Sequence, residues 1–293
     1  MESKLTMTHS RRRRFHGDGV MLCADEHGPP NGLPVLFFHG GGQSRRSWNS
    51  AARMVGAAGY RGLSFDLRGH GESGWAEDGD YMLDAFARDV AALIDGFDEP
   101  VVLVGASRGG QAALVGASRR PGRVAMVMLA DVAPLLRDSG VDEFRGFFRA
   151  SMGGFSTLDE AADALATHLD RPRTADASRL AKTMRTGEDG RLYWQWDPKT
   201  VSPEFLNPPS ETIALEEAAA RIKDPVILVR AEFSNIVSDA SVDLFRRLTP
   251  QLEVIEAKGV GHMITGDRND AFAETLLDRL GRHAQIGGRP DPR

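Results

Sequence analysis

The sequence predicts an α/β chain, with a mostly parallel sheet flanked by helices and a helical segment inserted late in the order. Short β-branched and apolar runs alternate with longer stretches of helical period. The run at 35–38 is the first strong strand signal, and the run at 101–104 is apolar throughout, as in a strand central in its sheet. Between about 135 and 215 the alternation stops, and it then resumes.

Taken in order, a weak strand is expected near 20–24 and a strong one at 35–38, ending in glycine. A helix over about 47–58 leads to a strand at 62–65 that stops at Asp66-Leu67-Arg68-Gly69-His70-Gly71. Leu83, Phe86, Val90, Leu93 and Phe97 are spaced to form one buried face of a helix over about 83–97. A strand at 101–104, a helix over 109–119 and a strand at 124–129 make a second strand–helix–strand unit. Past Pro134 come helical fragments, the cluster Tyr193-Trp194-Gln195-Trp196, and prolines at 172, 198, 203, 208 and 209. These predict a mostly helical cap over 137–214, inserted into a core made of 15–136 and 215–281. The core closes with strands at 226–229 and 252–255 and helices near 241–248 and 271–280. Arg11-Arg12-Arg13-Arg14 reads as part of a disordered arm over 1–14, and 282–293 as a flexible tail.

Composition narrows the classes. With 41% apolar and 26% charged residues among 293, the chain can bury a sizeable core and lacks the bias of disordered sequences. No apolar run approaches the ~18–20 residues that cross a bilayer. Net charge is −5, from 36 basic and 41 acidic residues, so bulk electrostatics favour no nucleic acid. Cys23 is the single cysteine, which leaves no internal disulfide and no CxxC pair. The first ten residues lack an apolar signal-peptide stretch, so a cytoplasmic location is expected. No HExxH-type spacing occurs, and neither a metal nor a cofactor is expected. The expected partner is a small-molecule substrate, with no membrane or nucleic acid, and the chain is expected to be a monomer or homodimer.

The most specific signal is Gly105-Ala106-Ser107-Arg108-Gly109, a GxSxG between a predicted strand and a predicted helix. There a serine is held in a strained turn with its hydroxyl beyond the sheet, and the flanking glycines remove side chains that would collide. The following helix points its N-terminus toward developing negative charge. A glycine-rich dinucleotide turn is the rival reading. At least three strands precede this turn, however, whereas such fingerprints normally follow the first. His39-Gly40-Gly41-Gly42-Gln43 supplies backbone that can approach a substrate oxygen. The N–H groups of Gly41 and Arg108 form the natural oxyanion pair. A serine also needs a base. Of eight histidines, His262, in Gly259-Val260-Gly261-His262 after the last strand, occupies the position from which a base would reach Ser107.

In their order, the HGGG at 39–42, DLRGHGES at 66–73, GASRGG at 105–110, LADVAP at 129–134, VILVR at 226–230 and GVGHM at 259–263 make the chain resemble the α/β-hydrolase family. The likeness is to the cap-bearing ester, lactone and C–C bond hydrolases, and it covers 15–281. It implies an eight-stranded-type sheet and serine–histidine–acid chemistry. In most such enzymes the acid follows the strand after the cap, but here Asn235 stands where related chains tend to carry Ser-Asp. A smaller group places the acid after the strand before the cap. That slot is Asp131, 24 positions beyond Ser107. Asp131 is therefore expected as the acid, ahead of Glu232; its plainer role would be ordering the turn into Pro134. The resemblance also implies that Asp66, Arg68 and His70 brace their turn. Gly42, Trp194, Trp196 and Met263 are the expected substrate contacts. Burial within the cap fits the aromatic pair and Tyr193 equally, and Met152 and Phe155 fit either role.

These readings converge on a serine hydrolase of a small to medium, partly apolar ester or lactone. Cleavage of C–C bonds in ring-cleavage products, cofactor-free dioxygenation by a histidine–acid pair, and ligand binding without turnover are the alternatives that such a chain leaves open.

Overall fold

The computed structural model describes residues 10–137, 146–168, 173, 176–202, 209–261 and 269–286, and within them every predicted strand forms. The strands are β1 (Arg11–His16), β2 (Met21–His27), β3 (Pro34–Phe38), β4 (Arg61–Phe65), β5 (Val101–Ala106), β6 (Val124–Ala130), the short β7 (Met184–Thr186) and β8 (Leu192–Trp194), β9 (Val226–Phe233) and β10 (Leu252–Gly261). Eight of them make one sheet in the order β1-β2-β4-β3-β5-β6-β9-β10. The first two pairings are antiparallel and the rest, from β4 onward, are parallel.

Alternation along the strands builds two cores, because successive side chains point to opposite faces. Val35 and Phe37 of β3, with Val102 and Val104 of β5, meet α1 (Asn49–Ala57) and α7 (Asn269–Ile286) through Ala51, Val55, Phe272 and Leu276. Leu36, Phe38 and Leu103 face the other way, toward α2 (Leu83–Asp95), α3 (Ser107–Ser118), α5 (Pro209–Arg221) and α6 (Asp239–Leu248). Strands covered on both sides must be apolar throughout, which is why β3 and β5 were so readable. Among the described residues no helix is long and apolar enough to cross a membrane.

Two expectations at the ends of the chain need correction. Residues 11–14, expected in a disordered arm, are strand β1. The ladder sets Arg11 opposite Glu26 and Arg12 opposite Asp25, while Arg12 also pairs with Glu72 at 2.5 Å. Opposite charges across the strands, together with Phe15 against Phe65 at 5.1 Å, hold a segment whose own pattern gives no strand signal. At the other end, α7 continues to Ile286, beyond the expected start of the tail at 282.

Between β6 and β9, residues 146–202 carry an apolar cluster of their own: Phe148, Phe155, Ala161, Met184, Trp194, Trp196 and Val201. Its elements are a helical stretch at 146–151, α4 (Leu158–His168), two 3-10 turns and the antiparallel ribbon β7–β8. Expected as mostly helical, the segment also carries this short antiparallel ribbon among its described residues. Helix α5, which spans the expected cap boundary at 214, sends Leu215, Ala218 and Ala219 into the main core. Backbone bonds tie the segment to the turn after β4: Gly71 N–H donates to Gln195 O and Asp197 N–H to Gly69 O, each at 2.7 Å. The Tyr81 hydroxyl adds a bond to Asp197 at 2.6 Å while accepting from Ala76 N–H at 3.0 Å.

Candidate active site

Register brings the candidate residues to one level. Phe38 pairs with Gly105, Ala106 with Ala130, and Ala130 with Val229. His39, Ser107 and Asp131 therefore leave β3, β5 and β6 side by side at the carboxyl edge of the parallel strands, where open α/β sheets hold their ligands. Adjacent strands lie ~4.8 Å apart, so Ser107 and Asp131, separated by 24 positions in the chain, start from neighbouring points.

Ser107 opens α3 with φ +47°, a left-handed conformation that costs a non-glycine residue about 1–3 kcal/mol. The glycines around it have a steric reason. A Cβ on Gly105 would lie 2.5 Å from Gly110 Cα, and one on Gly109 would lie 2.6 Å from the Phe38 carbonyl carbon. Helix α3 is thereby pressed against β3, and Gly109 N–H donates to His39 O at 3.1 Å. Ser107 remains partly exposed.

The glycine loop after β3 is held by two buried histidines. His39 Nδ1–H donates to Gly40 O at 2.7 Å, and its Nε2 accepts from Leu67 N–H at 3.0 Å. His70 Nδ1–H donates to Arg68 O at 2.9 Å, while its Nε2 accepts from Gly42 N–H at 3.1 Å. Burial lowers His39 to about 4 and His70 to about 3, so both are neutral near pH 7. Their Nε2 lone pairs are occupied by amides, which leaves neither ring to act as a base. The loop itself presents the Gly41 N–H, which meets no acceptor among the described residues. Gly42 adopts φ +72°, and a Cβ there would lie 2.5 Å from Phe148 Cε1. Phe148 of the inserted segment thus sits directly over this turn.

Arg108, singled out for its backbone N–H, is also fixed through its side chain. Its guanidinium bonds the buried Glu211 at 2.7 Å and lies 5.8 Å from the Phe86 ring centre. The other oxygen of Glu211 accepts Leu83 N–H at 2.7 Å, so one carboxylate joins α2, α3 and α5.

Asp131 is fully buried with φ +51°. Its N–H donates to Val229 O at 2.8 Å, Ala231 N–H donates to its Oδ1 at 3.0 Å, and the Ser234 hydroxyl to its Oδ2 at 2.6 Å. The carboxylate therefore folds onto the end of β9. Glu232, the second candidate acid, is exposed and accepts Gly259 N–H at 2.7 Å. Asp66, also wholly buried, is committed to an ion pair with Arg45, and Arg68 to Asp89 at 2.7 Å. His262 and Met263 lie outside the described residues; Gly261 just before them pairs with Phe233 at the end of β9.

The model of the alpha/beta hydrolase family matches residues 35–275. The chain belongs to that family. This alpha/beta hydrolase is 28% identical over 254 residues to an esterase of Mycobacterium tuberculosis, with 83% of this chain and 80% of that one covered. It is 26% identical over 282 residues to a 2-(acetamidomethylene)succinate hydrolase of Mesorhizobium japonicum, covering 96% and 97%. A crystal structure of E-2-(acetamidomethylene)succinate hydrolase has the same fold, with a TM-score of 0.77 over 94% of this chain and 100% of that one at 24% identity. Relatives named as an esterase and a hydrolase support a hydrolase enzyme.

Within the family fold, the described part of the site offers a strained serine, a free backbone donor at Gly41 and a buried, hydrogen-bonded carboxylate one strand away. Trp194 and Trp196 are buried in the inserted segment's own cluster, edge-on to Phe155 and Phe148 at 5.6 and 5.7 Å. Phe148 lies against the glycine loop at Gly41 and Gly42. Sequence reasoning missed Phe148, Glu211 and Ser234. A Phe-Phe pair in a helical stretch, a glutamate opening a helix and a serine in a turn each have an ordinary structural reading.

Proposed function

We propose that the chain is a serine hydrolase acting through an acyl-enzyme on a small to medium, partly apolar ester or lactone. The observation that carries this reading is that Ser107 and Asp131 directly follow the paired Ala106 and Ala130 at the ends of β5 and β6, both in left-handed backbone conformations. In the proposed reaction Ser107 Oγ attacks the substrate carbonyl carbon as His262 takes its proton. The N–H groups of Gly41 and Arg108 stabilise the oxyanion, and Asp131 accepts the other imidazole N–H and stabilises the imidazolium. Collapse of the tetrahedral adduct breaks the C–O bond, and the leaving oxygen takes the proton from His262. Water, deprotonated by the same ring, then attacks the acyl carbon, the bond to Ser107 Oγ breaks, and Oγ takes the proton back from His262 as the acid is released. Phe148 and Gly42 would border the acyl group, with Met263 on the substrate side and Trp194 and Trp196 packed behind Phe148 and its neighbours. Relatives named as esterase, lipase and diacylglycerol lipase support the ester reading.

A fluorophosphonate probe read by intact mass tests the proposal, alongside turnover of p-nitrophenyl butyrate and a lactone panel. One probe adduct on native protein and none on Ser107→Ala is expected. Asp131→Asn is expected to lower turnover on the order of 10²–10⁴-fold, because an amide cannot supply the charge, whereas Asn235→Asp changes it little. Folded protein that leaves Ser107 unlabelled overturns the reading.

A further inference from the structure

The turn after β9 holds a side chain, Ser234, that takes no part in the proposed proton transfers. Ser234 Oγ accepts Val237 N–H at 2.8 Å and Ile236 N–H at 3.2 Å. A hydroxyl has two lone pairs and a single proton. With both lone pairs facing amide donors, the proton's acceptor among the described residues is Asp131 Oδ2 at 2.6 Å. The hydroxyl is therefore no free rotor: the turn commits its donor to the carboxylate. Ala231 N–H holds Oδ1 at 3.0 Å, so each carboxylate oxygen is pinned by a different group from the same strand end. The turn is fixed in its own right. Ser234 N–H donates to Ala231 O at 3.2 Å, Arg137 N–H to Ile236 O at 2.9 Å, and the reciprocal Ser238–Ser241 capping box starts α6 immediately afterward.

We propose that Ser234 is a positioning residue for the acid: its hydroxyl, oriented by the 236–237 amides, sets the plane in which the Asp131 carboxylate meets the catalytic imidazole. The inference rests on the proposed role of Asp131 and deepens it. In this chain the strand that follows the inserted segment supplies the clamp on the acid instead of the acid. A charge-assisted O–H···O bond is short and directional, so its loss allows the carboxylate to tilt without removing its charge. Catalysis then falls while substrate affinity stays, because the bond bears on the transition state, where the imidazolium forms.

The alternative is a purely architectural serine that braces the turn. Both roles predict some loss of stability on substitution, so the test reads rate per active site. Rates are p-nitrophenyl butyrate turnover and the rate constant for fluorophosphonate labelling, each normalised to the sites that label on long incubation. Ser234→Ala is expected to lower kcat and the labelling rate constant about 10–100-fold with KM within about 2-fold of native. Ser234→Thr, which keeps the hydroxyl, stays near native, and Ser234→Cys, a weak donor of similar size that also serves if the alanine variant misfolds, falls between. The deciding measurement is the cycle with Asp131→Asn, in which the carboxylate charge is already gone. There Ser234→Ala is expected to cost no more than about 2-fold. Native-like rates in Ser234→Ala, or the same loss in both backgrounds, overturn the proposal while leaving the acid assignment intact. Native turnover in Asp131→Asn alone would instead remove the acid itself, and the clamp with it.

Discussion

A methyl group at position 109 has no room, since its carbon would sit 2.6 Å from the backbone of Phe38. Gly109→Ala is expected to push α3 off β3 and destabilise the fold by about 1–3 kcal/mol, read as a lowered urea midpoint, with a larger loss of turnover because Ser107 moves with the helix. The GxSxG pattern could be read from sequence because such steric demands are local, bearing on a turn whose strand and helix are both plain. Asp131 was readable only through resemblance: its left-handed backbone and its β9 partners leave no mark on the surrounding residues. Ser234 and Glu211 were not readable at all. Each acts on a residue 103 positions away, Asp131 and Arg108 respectively, and no local pattern encodes a contact of that range.

The elements divide along similar lines. Strands buried on both faces advertise themselves by continuous apolar runs, and α2 by its single apolar stripe. Strand β1 and the ribbon β7–β8 escape that logic, the first because its support is charge across a ladder, the second because three residues per strand are too few to show a period. What docks the inserted segment on the core is equally hidden, since Tyr81 reaches Asp197 across 116 positions. Tyr81→Phe keeps the ring but leaves Asp197 and the Ala76 N–H each short of a buried partner. A loss of about 1–3 kcal/mol in urea unfolding is expected. Asp197→Asn in the same background is expected to restore part of it, because a neutral amide is less costly to leave unpaired than a carboxylate.

For the molecule as a whole, the buried histidine pair sets an acid limit on stability. Burial holds His39 at about 4 and His70 at about 3, against 6.5 for a free imidazole. Between those values and pH 6.5 the unfolded chain binds protons that the native state refuses. The part of the stability that depends on these two rings is accordingly present above about pH 6.5 and is lost as pH falls toward their native values. Each ring contributes a slope approaching about 1.4 kcal/mol per pH unit. Urea titrations from pH 7.5 to 4.5 are expected to show a decline corresponding to about two protons, and His70→Asn to reduce it by about one.

The arginines of β1 have a consequence for how copies of the chain can meet. Strand β1 ends the sheet order, and its four leading residues are all exposed guanidinium bearers. An unprotected edge invites another molecule to extend it by main-chain bonding. Here an identical newcomer would have to lay a cationic row beside a cationic row, with Asp25, Glu26 and Glu72 already engaged by Arg12 and Arg13. Strand addition between copies is thereby disfavoured along this row of guanidinium groups.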